Sequence, residues 1–216
     1  MHNHTHRLVS TYHILEEYYG SQHWWPGDSP FEIMVGAILT QNTAWTNVER
    51  AIGNLKVAGC LDAERIIALP SGELARLIRP SGYFNVKAKR LQHFCRWYID
   101  NDSARLIGLD TPSLRAALLS VHGVGPETAD DILLYAFGRP VFVIDAYTRR
   151  IFSRLKIFDA DLPYETLRSR IEEVLPADNG LFNQYHALIV RHGKEICRKR
   201  PQCDLCCLRQ FCDFIG

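Results

Sequence analysis

Only one stretch of the chain, Val141-Phe142-Val143-Ile144, has the β-branched and aromatic character of a strand, and no second stretch is placed to pair with it. A sheet needs at least two strands to satisfy their backbone groups, so the fold expected is all-α. Helix signals recur from end to end. Ser29-Pro30-Phe31-Glu32 reads as a capping box with proline at the first helical position, and the apolar run to Leu39 follows as a buried helix. Thr46 with Glu49 opens the next helix, Asp62 caps a short one through Ile67, and Ser71 begins another that Pro80-Ser81-Gly82 stops. From about Asn85 to Asp100, Ala88, Leu91, Cys95 and Tyr98 form an apolar stripe opposite a basic face. Thr111-Pro112 starts a helix to Leu119, and later helices run from about Pro163 to Leu175 and Leu181 to His192.

The 216 residues suffice for one large domain or two modest ones, and 47% hydrophobic content supports a real core. The longest apolar run, Ile33 to Leu39, is far shorter than a membrane span, and the polar start Met1-His2-Asn3-His4-Thr5-His6 has no signal-peptide core. The expectation is a cytoplasmic protein of a bacterial or archaeal cell, monomeric and without a membrane partner. The alternating histidines are read as a frayed terminus, metal binding being the other use of such a pattern. A net charge of +1 excludes a uniformly basic nucleic-acid binder but leaves the local clusters Lys87-Ala88-Lys89-Arg90 and Arg198-Lys199-Arg200.

Val121-His122-Gly123-Val124-Gly125-Pro126 separates two helices. Its glycines permit a tight turn with exposed N–H groups, which serves either as a plain helix–helix connection or as a grip on a DNA phosphate. Asp145 follows the strand-like segment and precedes a helix, the position of an ordinary N-cap. Trp24-Trp25-Pro26 and Trp45 are too many neighbouring indoles for one core, so at least one is expected in a groove able to sandwich a base. Of seven cysteines, five lie in the last twenty residues; Cys197-x5-Cys203-x2-Cys206-x5-Cys212 is a local metal-ligand pattern and not a disulfide framework. Zinc usually takes two close cysteine pairs, and here there is one; an iron–sulfur cluster suits the spacing better.

In order and spacing, Gly123-Val124-Gly125, the Phe137-Gly138-Arg139-Pro140 loop and Val143-Ile144-Asp145 resemble the endonuclease III superfamily of DNA glycosylases, and the cysteines extend the likeness to the C-terminus. The resemblance implies two helical domains with DNA held across the cleft between them: residues 24–137 as a helical barrel carrying the helix-hairpin-helix, and 1–23 plus 138–216 as the domain with a C-terminal 4Fe-4S cluster. It implies base excision repair of double-stranded DNA containing a damaged base, which is flipped out to face Asp145. A carboxylate there stabilises the oxocarbenium character of the breaking bond and orients water. Hairpin residues Gly123, Gly125 and Thr128 would contact DNA, as would Arg198, Lys199 and Arg200 if not merely a solvated run.

Strand-cleaving members carry a Schiff-base lysine where this chain has Glu127, which favours a monofunctional enzyme; Glu127 is either catalytic or a first-turn glutamate favoured by the helix dipole. Trp24-Trp25-Pro26, Leu39-Thr40-Gln41-Asn42-Thr43 and the segment Arg79 to Leu91 are similar to the 3-methyladenine DNA glycosylase III branch. That implies a pocket of Trp24, Trp25, Pro26 and Trp45 for a cationic alkylated purine, whose charge indole faces attract. Gln41 or Asn42 would fill the gap left by the flipped base, unless they cap the next helix. The first cysteine gap is one residue shorter than the family's, which leaves Cys207 as a substitute for Cys206. The competing expectations are a mismatch or oxidised-base glycosylase, and a non-catalytic DNA-binding helix-hairpin-helix protein.

Overall fold

The computed structural model describes residues 2–24 and 27–214 and is all-helical, with no strand among the described residues. It divides into two compact units, Trp25–Arg139 and Met1–Trp24 with Pro140–Gly216.

The contiguous unit begins with α2, Pro30–Leu39, whose Ser29 cap accepts from the Glu32 N–H at 3.2 Å; the Glu32 carboxylate turns instead to Lys56 Nζ at 2.8 Å. α2 is buried along most of its length, and α3, Trp45–Val57, packs on it. α3 starts one residue before Thr46, behind an Ala44 with no side-chain cap, so neither Gln41 nor Asn42 caps it. Then come α4 (Ala63–Ala68), capped by Asp62, and α5 (Ser71–Leu77), which both rest on the long α6 (Phe84–Asp100). α7, Ser103–Gly108, carries no periodic apolar pattern strong enough to announce it and is held by its Asp102 cap. α8 (Thr111–Leu119) and α9 (Pro126–Asp131) form the helix pair around the Gly-Val-Gly turn, and α9 runs on as a π turn through Ala136.

The basic face expected on α6 is only partly one. Lys87 is 1% exposed; its Nζ donates to Leu39 O at 2.8 Å and Ser81 O at 2.6 Å, joining the end of α2 to the turn before α6. Burial first, then the charge of Arg90, lowers its pKa to about 8. A sequence pattern cannot distinguish such a lysine from a solvated one, because its partners are carbonyls.

The second unit joins α1 (His2–Tyr19) to α10 (Ala146–Arg154), α11 (Tyr164–Glu172) and α12 (Asn179–Glu195). The histidine-rich start, expected to fray, is the first turn of α1. Tyr185 of α12 is the hub: fully buried, it packs against Tyr12, Phe142 and Phe152, and its hydroxyl donates to Leu8 O at 2.8 Å. The strand-like segment 141–144 is buried throughout but pairs with no strand. Side chains take up its backbone, the Phe142 N–H donating to Glu172 Oε1 at 2.9 Å and the Ile144 N–H to the Tyr164 hydroxyl at 3.4 Å. Its β-branched composition reflects burial on both sides, which a core strand would require equally. No helix among the described residues is long and apolar enough to cross a membrane.

Candidate active site and DNA-binding hairpin

Two α-helices and a six-residue turn make the hairpin. Gly123 sits at φ +94, a conformation side chains avoid, and a Cβ there would lie 2.7 Å from Cδ and 3.1 Å from Cβ of Arg90. The turn and the arginine therefore touch without room between them. Arg90 donates to Gln41 Oε1, and Gln41 Nε2 donates to Gly123 O at 2.9 Å and to Thr128 Oγ1 at 3.1 Å. Gln41 thus braces both sides of the turn. Asn42 beside it is exposed at φ 55. The flanking helices are tied by a bidentate pair, Arg115 Nε to Asp130 Oδ1 at 2.6 Å and Nη2 to Oδ2 at 3.1 Å, with Asp130 wholly buried. Gly125 caps α9 through its backbone, Pro126 fills the first helical position, and Glu127 stands exposed on the first turn. Tyr83, at φ 45 and 73% exposed, is the N-cap residue of α6 and offers a solvent-facing aromatic ring within the segment Arg79 to Leu91.

Asp145 is the N-cap of α10. Its Oδ1 accepts from the Thr148 N–H at 2.7 Å and the Thr148 hydroxyl at 2.9 Å, so that oxygen is committed to the helix. Its Oδ2 lies 3.6 Å from His186 Nε2, and the side chain is 14% exposed. Burial alone would raise the carboxyl's pKa; the contact with and charge of His186, together with the two Thr148 hydrogen bonds, outweigh it and hold the group below the usual carboxylate range. Half-buried Trp24 lies against His186, centroids 5.8 Å apart and rings tilted by 31°. Trp24 and Asp145 are thereby joined through a histidine that sequence reasoning missed. Nothing marks it: His186 stands within the apolar run of α12, and its partner is contributed from far along the chain.

Trp45 fills the notch left by Gly36, where a Cβ would come within 3.1 Å of its ring, and its Nε1 donates to Glu49 at 3.0 Å. Trp25 and Pro26 lie outside the described residues.

The cysteine loop follows α12. Arg154 donates to Cys197 Sγ at 3.2 Å, to Arg198 O at 2.7 Å and to Lys199 O at 3.1 Å, holding the first gap from within. Arg198, Lys199 and Arg200 are exposed, and Arg198 Nε also caps α12 by donating to Lys194 O and Glu195 O. Cys203 opens a 3-10 turn whose far end is Cys206. The Cys206 thiol is pushed up to about 11, by burial first and, against a Leu208 N–H, by the charges of Cys207, Cys197 and Cys212. Among the described residues, no group of three or more His, Cys, Asp or Glu side chains is gathered closely enough to hold a metal ion.

A model of the HhH-GPD superfamily base excision DNA repair protein matches residues 35–177, which take in both the hairpin and Asp145. The chain belongs to this superfamily. Over 209 residues, 95% of each chain, this HhH-GPD protein is 47% identical to one of Methanocaldococcus jannaschii provisionally named a DNA repair glycosylase. A solved endonuclease III in non-covalent complex with DNA has the same fold, with a TM-score of 0.83, 22% identity and coverage of 97% of this chain and 95% of that one. The 3-methyladenine DNA glycosylase of H. pylori, solved bound to 1,N6-ethenoadenine, is 27% identical, with a TM-score of 0.72 over 88% of this chain and 95% of that one. As an HhH-GPD member of the endonuclease III kind, the protein is a DNA glycosylase and binds DNA.

Proposed function

We propose that the protein is a monofunctional glycosylase that hydrolyses the N-glycosidic bond of an alkylated purine flipped from duplex DNA, with Asp145 as the essential carboxylate. The observation that carries this reading is the state of Asp145: a carboxylate held ionised, one oxygen fixed by Thr148 and the other beside His186. As the C1′–N bond breaks, the base leaves with the bonding electrons, and the cationic sugar is stabilised by the fixed negative charge. Water adds to C1′ and gives up a proton, which the same carboxylate can take before passing it to solvent. An N-alkylated purine is already cationic and departs neutral, so no strong acid is required.

Trp24, placed against His186, supports an aromatic face beside the carboxylate on which a flat cationic base could stack. The likeness to a glycosylase named for 3-methyladenine supports the same substrate class. Glu127 in place of a lysine supports water as the nucleophile, since a carboxylate forms no imine. The braced hairpin of Gly123, Gly125 and Thr128 would grip the backbone with Arg198, Lys199 and Arg200, and exposed Asn42 or Gln41 would enter the gap in the duplex. Soft sulfur donors suit an iron–sulfur core, and the ionised thiols of Cys197 and Cys212 would repel that of Cys206: Cys197, Cys203, Cys206 and Cys212 would hold a 4Fe-4S cluster, which when bound would cross-link the loop after α12.

The test is a set of duplexes differing only in the lesion, assayed by single-turnover base release with wild type and Asp145→Asn. The variant keeps the helix cap but not the charge. Release of alkylated purines should fall about 10²–10³-fold while binding persists. Near-normal excision by the variant would overturn the role of Asp145, and efficient removal of mismatched or oxidised neutral bases with no advantage for 3-methyladenine would overturn the substrate class.

A further inference from the structure

A histidine in the middle of a buried helix face needs a reason. His186 is 4% exposed, between Tyr185 and Leu188, which are fully buried. Leucine at this position would bury more apolar surface without the cost of desolvating an imidazole. What the imidazole has and leucine lacks is a ring nitrogen 3.6 Å from Asp145 Oδ2. Trp24 lies against its ring, tilted by 31°.

The division of labour on Asp145 gives that contact its meaning. Both hydrogen bonds from Thr148 reach Oδ1, so the helix cap fixes one oxygen and leaves the other. We propose that His186 is a positioning residue for base excision: carried by α12 and held by Trp24, it aims Oδ2 of Asp145 at the reacting sugar and water. This rests on the reading of Asp145 as the essential carboxylate. A carboxylate oxygen has two lone-pair sites, so Oδ2 can accept from His186 and still face C1′. At 3.6 Å the contact is electrostatic rather than a closed hydrogen bond.

The same contact governs the charge of the carboxyl. Burial opposes ionisation, and His186 acts against it more strongly than Thr148 does. The arginines of α10 are committed elsewhere, Arg149 to Ala160 O and Leu162 O, Arg150 to Gly193 O and Cys197 O, and Arg154 to Cys197 Sγ, Arg198 O and Lys199 O. Trp24, which lies against His186, is uncharged. Removing the His186 donor therefore leaves Thr148 alone against burial, and Asp145 should take up a proton at a higher pH.

The experiment compares His186→Phe, which keeps a ring against Trp24 but has no donor, with His186→Gln, whose amide nitrogen falls near the place of Nε2. Both are measured as purified full-length protein, on the duplex lesion that wild type releases fastest. Single-turnover rates are taken between about pH 5 and about pH 9, with affinity for a duplex carrying a tetrahydrofuran abasic analogue measured alongside. Expected are a flat acid side for wild type and for His186→Gln. His186→Phe should lose about tenfold at the acid end against its own alkaline rate for each unit by which the Asp145 pKa comes to exceed the assay pH. Affinity for the abasic duplex should stay within about twofold throughout. If the phenylalanine chain does not fold, His186→Asn, whose shorter side chain draws the donor back from Oδ2, reports the same shift. A wild-type rate and profile for the donor-free variant, or equal damage from Gln and Phe, would reduce His186 to a space-filling role. Asp145→Asn in the same series separates the two claims: if it is inactive while His186→Phe is normal, only the positioning role fails; if it is active, the reading of Asp145 fails with it.

Discussion

Gly123→Ala tests whether the hairpin is braced as described. An alanine at φ +94 costs about 1–2 kcal/mol in backbone strain. Its Cβ would also lie 2.7 Å from Cδ of Arg90, in the middle of a side chain whose far end is bonded to Gln41, so the arginine must swing away. Losing that charge-assisted hydrogen bond costs about 1.5–3 kcal/mol more, for a total of about 2.5–5 kcal/mol. The assay is the urea midpoint of the single variant, of Arg90→Ala, and of the double variant. With Arg90 truncated, the clashing Cγ and Cδ are gone, only the Cβ contact at 3.1 Å remains and the bond is already lost, so the double variant should be more stable than the two single losses added together predict, by about 1.5–3 kcal/mol. Duplex binding should weaken in step with Gly123→Ala, because Gln41 loses its hold on the turn. A neutral Gly123→Ala, or single effects that add within about 0.5 kcal/mol, would refute the contact between turn and arginine.

Lys87→Met should cost about 2–4 kcal/mol by leaving the carbonyls of Leu39 and Ser81 without their donor. With its folded pKa lowered to about 8 from 10.5, Lys87 gives up its proton in the folded state first, so wild type gains stability as pH rises between those values; the urea midpoint of the methionine variant should lack that gain. Anaerobically purified protein should be brown with about four irons per chain, lost on Cys203→Ser and kept on Cys207→Ser; a colourless protein with stoichiometric zinc would refute the cluster. Borohydride should trap no adduct with damaged duplexes, since Glu127 offers no amine; a trapped adduct would refute hydrolysis by water.

The parts of this molecule legible in its sequence are those whose causes are local. Ser29-Pro30, Asp62 and Asp145 announce helix starts because a cap reaches only two or three residues forward. The single strand-like run, with nothing to pair with, led correctly to an all-helical fold. Contacts made across the chain left no such trace. Gln41 reads as a loop residue, yet it bonds to Gly123 and Thr128, 82 and 87 positions away. Lys87 reads as part of a basic face because charge was visible and its carbonyl partners were not. His186 was invisible for the same reason: an imidazole in an apolar helix has no pattern of its own, and nothing near Asp145 in the sequence pointed to a partner 41 positions away.

Tyr185 donating to the carbonyl of Leu8 joins residues 177 positions apart, and it lies at the centre of a unit assembled from both ends of the chain. During synthesis, residues 25–139 emerge as an uninterrupted segment with every helix of their own unit present. The first helix, by contrast, leaves the ribosome with Leu8 and Leu15 uncovered and waits for the final quarter of the chain before either is buried. Closing so long a loop is slow, and apolar surface left exposed meanwhile invites association with other chains. Truncation at the C-terminus should therefore injure the N-terminal helix first, leaving the contiguous unit able to form on its own timetable.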